Sequence, residues 1–231
     1  MAISTEQCLI DDKSKQTLKV GQLKRPMIQL LHKIQTDMSK LTSHLLLVII
    51  FLSATAFLPL DDTYVVDTNA SALKWTGYHL AKSYEHYGNV KIKSGKFAVS
   101  GGRIISGEFV IDMNTISNTD LTNAKDNTKL VNHLKSDDFF NVKKFPEAKL
   151  VIKNSEPNGA NLKVTGDLTI RGITKTIDFD ATLKENGNGQ TEATADIKVQ
   201  RTDFQVMYGW KVENAMLSGE FRMEVKLVGK K

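Results

Sequence analysis

The chain has 231 residues, of which 41% are hydrophobic and 25% charged, and its 31 Lys and Arg against 26 Asp and Glu give a formal net charge of +5. This balance is typical of a globular protein and excludes a collagen, a largely disordered chain and a protein with several membrane spans. A single cysteine, Cys8, excludes a disulfide framework and a cysteine-based zinc finger.

The first element along the chain is an apolar run of 14 residues, Leu45 to Leu58. A helix that spans a membrane needs about 20. Lys40 precedes the run and Ala54-Thr55-Ala56 offers the small side chains that signal peptidase accepts, so the segment is typical of a secretory signal. A start at Met38 gives such a signal its normal size.

We therefore expect residues 38–56 to be a signal peptide and residues 57–231 to be the exported domain. Residues 1–37 are interpreted as an upstream start assigned in error or as a disordered tail. The alternative is a cytoplasmic tail followed by an uncleaved anchor. Cleavage predicts a periplasmic or secreted protein that keeps no stable membrane anchor.

The basic character of the chain depends largely on this first segment. Residues 1–56 contain seven Lys and Arg and four Asp and Glu, which leaves 24 basic and 22 acidic residues in the rest. Because these alternate along the chain instead of clustering on one face, we expect no nucleic-acid partner.

From Tyr64 onward the pattern alternates with a period of two residues, which indicates half-buried strands. The apolar positions of the four clearest runs are Leu162, Val164, Leu168 and Ile170; Ile177, Phe179, Ala181 and Leu183; Ala193, Ala195, Ile197 and Val199; and Leu217, Phe221, Met223, Val225 and Leu227. Gly and Asn pairs between the runs, such as Gly101-Gly102 and Asn158-Gly159, predict tight hairpins.

Two segments interrupt the alternation. Ser94-Gly95 shifts the apolar phase and predicts a bulge or bend. The polar segment Asn123 to Leu134, with Leu130, Val131 and Leu134 at helical spacing, predicts a short helix over the sheet or at one end of it.

About eight strands with one apolar face each need a shared interior, and closure of the sheet supplies it while removing exposed edges. The sequence therefore predicts an all-β fold, an eight-stranded antiparallel barrel with a short helix inserted between strands. A two-sheet sandwich is the alternative.

A barrel of this size is either filled by its side chains or holds one small ligand. The large apolar residues predicted to face inward are Phe97, Phe109, Ile111, Leu168, Ile170, Phe179, Phe221 and Met223. Small residues such as Gly166, Ala181 and Ala195 lie among them, and the pattern alone leaves both a filled core and an apolar tunnel open.

The polar residues form no catalytic motif. The sequence has no Gly-x-Ser-x-Gly elbow, HExxH motif, phosphate-binding loop or dinucleotide fingerprint, so we expect neither an enzyme nor a cofactor. A metal held by His79, His86 and an acid such as Glu85 or Asp120 is an alternative. If the interior is a tunnel, its rim is expected to include Trp75, His79, His86, Tyr208 and Trp210, with Arg201. The alternative is that the aromatic residues and Arg201 only pack at the end of the barrel.

Several stretches together resemble the YceI-like family of bacterial lipocalin-like polyisoprenoid-binding proteins. They are Tyr64-Val65-Val66-Asp67 with Ser71 and Trp75, Gly95-Lys96-Phe97, Ile111 to Ile116, His133 to Pro146 and Gly166 to Lys175. The resemblance covers residues 64–229. One departure is Ala70, which stands where many relatives carry a histidine.

The resemblance implies a lipocalin-like barrel, export to the periplasm and an elongated apolar tunnel for an isoprenoid or fatty-acyl chain, with no catalytic residues. We expect a non-enzymatic carrier of a long lipid, such as a polyisoprenoid, an isoprenoid quinone or a fatty-acyl compound, as a monomer or homodimer. The alternatives are a filled structural or interaction barrel and a histidine-dependent metalloprotein.

Overall fold

The computed structural model describes residues 61–80, 84–207 and 216–231, and positions 30, 32, 33 and 35. The strands below lie in the compact unit Pro59–Lys231. Among the described residues, no helix is long and apolar enough to cross a membrane. The signal peptide predicted for residues 38–56 lies outside the described residues.

Ten antiparallel strands make up one sheet. They are β1 (Asp62–Val66), β2 (Ala72–His79), β3 (Glu85–Asn89), β4 (Lys91–Ser100), β5 (Arg103–Asp112), β6 (Glu147–Asn158), β7 (Asn161–Ile170), β8 (Ile173–Gly187), β9 (Gln190–Gln200) and β10 (Leu217–Lys230). The alternation of buried and exposed residues in β7 and β9 follows the period of two that predicted them.

The ten strands occupy eight positions in a closed wall. Strand β10 pairs with β2 along most of its length and with β1 at its end, where Val66 lies opposite Gly229. Likewise β3 pairs with β2, and β4 pairs with β1. Strands β1 and β2 therefore form one interrupted wall strand, and β3 and β4 form the next, so the prediction of a closed eight-stranded antiparallel barrel is confirmed.

The turns and the bulge lie where the sequence places them. Gly101, Gly102 and Gly159 have positive φ angles, which the two hairpins require and which glycine adopts without steric cost. The register between β4 and β5 shifts between Ile92 and Ser94, so the bend predicted from the change of apolar phase is confirmed.

One helix, α1 (Ala124–Lys135), lies between β5 and β6. It begins after Asn123, whose side chain accepts hydrogen bonds from the backbone N–H groups of Lys125 and Asp126. Leu134 is buried in the barrel core and Leu130 packs against it. The helix predicted for Asn123 to Leu134 is therefore confirmed, to within one residue at each end.

Candidate functional site

A cavity of about 840 Å³ lies inside the barrel between the wall and α1. Strand residues line one side of it, among them Leu73, Ile111, Leu168 and Met223, and α1 contributes Leu130 and Leu134. Its volume is in the upper part of the range of small-molecule sites, which is about 300–1,000 Å³. The lining is mainly hydrophobic.

The other half of the barrel is almost filled. A second void there has a volume of only about 70 Å³ and shares Leu73, Ile111, Leu168 and Met223 with the large cavity. Phe97 stacks on Tyr64 with ring centroids 5.4 Å apart, and Phe109 lies 6.2 Å from Phe97. The interior therefore has a wide half and a narrow half, which meet at the shared residues.

The eight residues predicted to face inward divide between these halves. Those that line the wide cavity are Ile111, Leu168, Ile170, Phe221 and Met223. The others, Phe97, Phe109 and Phe179, line only the narrow half. The predicted apolar tunnel thus corresponds to the wide half, and the alternative of a filled core corresponds to the narrow half.

Three of the five predicted rim residues line the wide cavity: Trp75, His79 and His86. The indole N–H of Trp75 donates a hydrogen bond to the Ser117 carbonyl oxygen over 3.0 Å, which fixes the ring in the wall. Tyr208 and Trp210 lie outside the described residues.

The segment after α1 closes one side of the cavity. Phe139 and Phe140 line it with their ring centroids 5.0 Å apart, edge to face. Arg171 fastens this segment, because its guanidinium donates to the carbonyl oxygens of Phe139 and Gln205. Neither this segment nor α1 was predicted to belong to the site, although Phe139-Phe140 in a polar stretch is the signal that could have indicated it.

Residues 117–121, which we call the edge loop, run along the side of β3 that faces away from β2. The N–H groups of Ser117 and Thr119 donate to the carbonyl oxygens of Asn89 and Tyr87 over 2.9 and 3.0 Å. A Cβ atom on Gly88 would lie 1.8 Å from the Ser117 carbonyl oxygen, so only glycine permits this approach.

Asp120 of the edge loop holds His86 in the cavity wall. Its Oδ2 lies 2.7 Å from His86 Nδ1, and its Oδ1 accepts from the Tyr87 N–H over 2.9 Å and from the Asn118 amide. Burial opposes ionisation, but these hydrogen bonds outweigh it and lower the pKa of Asp120 below its ordinary value. An ionised carboxylate only accepts, so Nδ1 of His86 carries the proton of this bond.

His79 lies beside this pair. Its ring stacks on Tyr84 with centroids 3.7 Å apart, and Tyr84 meets His86 edge-on at 5.5 Å. Burial lowers the pKa of His79, and the nearby His86 lowers it further, so His79 is neutral near pH 7. The described part of the chain brings no three His, Cys, Asp or Glu side chains together as a metal site.

Arg201 is a buried cation in the same wall. It is 5% exposed, and its guanidinium donates to the carbonyl oxygens of Ser218 and Val206 over 2.8 and 2.9 Å. Burial lowers the pKa of Arg201 from its ordinary value. The residue therefore fastens the chain after β9 to the start of β10.

A closed antiparallel barrel with an apolar cavity beneath one helix defines the class of lipocalin-like binding barrels. The profile of the YceI-like domain matches residues 64–229. The chain therefore belongs to the YceI-like family.

Relatives in sequence extend over most of the barrel. A UPF0312 protein of Shewanella denitrificans is 28% identical over 170 residues, which are 72% of this chain and 86% of that protein. Protein YceI of Escherichia coli is 32% identical over 133 residues, 55% of this chain and 66% of that protein. The matches to Pseudomonas putida relatives span 57% of those proteins.

Two solved structures support the fold. The crystal structure of Burkholderia cenocepacia BcnA has a TM-score of 0.56 at 21% identity, and the match covers 71% of this chain and 98% of that one. A polyisoprenoid binding domain from Saccharophagus degradans, implicated in plant cell wall breakdown, has a TM-score of 0.54 at 13% identity, with 72% and 97% covered.

Proposed function

We propose that this protein is a non-enzymatic carrier that holds one long apolar lipid chain, an isoprenoid or fatty-acyl compound, in the wide half of the barrel. The single observation that carries the proposal is the apolar cavity of about 840 Å³ under α1. The domain from Saccharophagus degradans binds a polyisoprenoid, which is consistent with such a cargo.

The cavity favours a chain over a compact polar molecule because its walls offer mostly dispersion contacts and apolar surface. Burial of each CH₂ group contributes about 0.8 kcal/mol, so affinity rises with chain length until the cavity is full. The aromatic packing beyond Leu168 then stops the chain, since the narrow half retains only about 70 Å³. Chain length is therefore the first property that the protein selects.

The proposed site of action is the periplasm or the exterior of the cell. The support is the sequence MSKLTSHLLLVIIFLSATA, which has the order of a secretory signal. Fractionation of a producing cell, with the intact mass of the recovered protein, tests this directly. A protein that keeps residues 38–56 and stays in the cytoplasm contradicts it.

The carrier proposal is tested with a series of prenyl alcohols of increasing length and with native mass spectrometry of the purified protein. We expect an adduct that organic extraction removes, and an affinity that rises with chain length to a limit. Ala148→Phe introduces a ring into the wide cavity, whose wall contains Ala148, and is expected to move that limit to shorter chains.

Val151→Phe is the matched control, because Val151 is on the same strand but 43% exposed on the outside. It is expected to leave the length limit unchanged. A protein with no adduct that binds no member of the series is not a lipid carrier. In that case a structural or interaction barrel becomes the better interpretation.

A further inference from the structure

We propose that His86 makes the mouth of the cavity selective for a lipid whose head group is a neutral hydrogen-bond donor, an alcohol or phenol hydroxyl. The inference rests on the proposed function, because it concerns the head of the same lipid. It also explains why a charged residue, Asp120, is placed behind the cavity wall.

The first step is the direction of the hydrogen bonds at His86. Its Nδ1 donates to Asp120 over 2.7 Å, and the carboxylate is held in turn by the Tyr87 N–H and by Asn118. A neutral imidazole whose Nδ1 carries the proton presents a lone pair at Nε2. Within the described part of the chain, Nε2 makes no hydrogen bond.

The second step is the position of this ring. His86 lines the wide cavity together with His79 and Tyr84, where the apolar lining reaches exposed side chains. Tyr84 is 51% exposed and its ring meets His86 edge-on, so the acceptor lies where a chain buried below would present its head group. A hydroxyl group that donates a hydrogen bond to Nε2 satisfies this acceptor.

The third step is the charge of the lining, which favours a neutral head group. Among the described residues, two cations, Lys129 and Arg201, line the cavity, and so do two carboxylates, Asp126 and Glu220. Asp120 adds a further negative charge directly behind His86. The described part of the lining therefore carries no excess of positive charge with which to bind a phosphate.

The experiment compares three ligands with the same C20 chain at pH 8: geranylgeraniol, its methyl ether and geranylgeranyl phosphate. The ether keeps the oxygen atom but carries a methyl group in place of the donor proton. We expect the wild-type protein to bind the alcohol roughly three- to tenfold more tightly than the ether, the range for one net hydrogen bond. The phosphate is expected to bind no better than the alcohol.

His86→Phe keeps an aromatic ring and removes the acceptor. It is expected to bring the ratio of alcohol to ether affinity to about one by weakening the alcohol alone. Glu85→Gln is the control, because Glu85 is an exposed neighbour in β3 and does not line the cavity, and its ratio should stay that of the wild type. Binding of the ether shows that each variant is folded.

Asp120→Asn provides a second variant that leaves His86 in place. An amide can donate to Nδ1 as well as accept from it, so part of the protein then presents Nε2–H to the ligand. The alcohol preference should fall between those of the wild type and His86→Phe.

A wild-type ratio of one, a His86→Phe ratio equal to that of the wild type, or tighter binding of the phosphate each overturns the inference while leaving the carrier function intact. If the wild-type protein binds none of the three ligands, the proposed function itself fails, and the inference fails with it.

Discussion

Asp120 keeps its charge in a largely buried position because three donors surround it. Since these bonds hold its pKa below the unfolded value of about 3.9, the folded state binds fewer protons than the unfolded state when the pH falls. The stabilisation that Asp120 provides is thus complete above that pH and is lost as the pH falls through the lower, folded-state pKa.

Asp120→Asn is therefore expected to lower the free energy of unfolding at pH 7 by about 1.5–3 kcal/mol, the range for hydrogen bonds to a charged group. The difference from the wild type should shrink as the pH falls below about 4, because protonation removes the charge from the wild-type residue too. Urea unfolding between pH 3 and pH 7 measures it. A difference that is the same at every pH would show that charge is irrelevant.

Gly88 is the position at which the edge loop is most sensitive to substitution. In Gly88→Ala the new Cβ atom would lie 1.8 Å from the Ser117 carbonyl oxygen, and backbone rather than a flexible side chain must move. We expect a loss of about 1–3 kcal/mol in urea unfolding, typical of overpacking. Gly77→Ala is the matched control in the paired strand, because its nearest contact would be Trp75 at an ordinary 3.9 Å, and it should cost much less.

At the scale of residues, the sequence indicated which polar side chains lie at the cavity but not which of them form hydrogen bonds with each other. His79 and His86 were expected at the rim, and both line the cavity. The partner of His86 could not be predicted, because Asp120 lies 34 residues away and reaches it through the edge loop. Only the closed wall brings the two together.

The helix α1 illustrates what local sequence determines at the scale of elements. Its first turn is fixed by Asn123, whose side chain accepts from two backbone N–H groups that otherwise have no intrahelical partner. The amphipathic spacing of Leu130 and Leu134 then places it over the cavity. Both signals are local, so the helix could be predicted from sequence.

Asn123→Ala is expected to lower the free energy of unfolding by about 1 kcal/mol, since the cap is lost. Thr128→Ala is the control on the exposed face of α1 and should change stability by less than about 0.5 kcal/mol. Thermal and urea unfolding of both variants measure this. Equal effects of the two substitutions would show that the cap does not stabilise the protein.

The strands show which features cannot be predicted from local sequence signals alone. Alternation and Gly-containing turns predicted the hairpins, because both act within a few residues. The interruptions between β1 and β2 and between β3 and β4 were not predicted, since they depend on two neighbouring strands changing partner at the same height of the wall. Eight positions were expected, and ten strand segments fill them.

At the scale of the whole molecule, closure followed from counting apolar strand faces, whereas the division of the interior did not. Large and small inward-facing residues occur in both halves. Whether they fill the interior depends on which side chains of different strands lie at the same level along the barrel axis. The narrow half retains about 70 Å³ and the wide half about 840 Å³. A list of inward residues cannot supply that difference.

The two halves should respond differently to loss of an aromatic ring. Phe179→Ala is expected to cost about 3 kcal/mol, the lower end of the range for a buried Phe, because the ring is partly buried but packs in the nearly filled half. Phe221→Ala should cost less, since one side of that ring faces the open cavity and lacks packing partners there. Unfolding of lipid-free protein in urea measures both losses. Equal losses would indicate that the wide half is filled as well.

The edge loop forms the one line in the described barrel wall that a loop, and not a paired strand, closes. Around most of the circumference, neighbouring wall strands form continuous ladders. Beside β3 the ladder is replaced by a few hydrogen bonds: Ser117, Asn118 and Thr119 donate to β3, and Asp120 accepts from it. Parting the wall there breaks these bonds and leaves every strand ladder intact. We therefore expect the wall to open more easily along this line than between two paired strands, and such an opening would let a long chain enter sideways, beside His86.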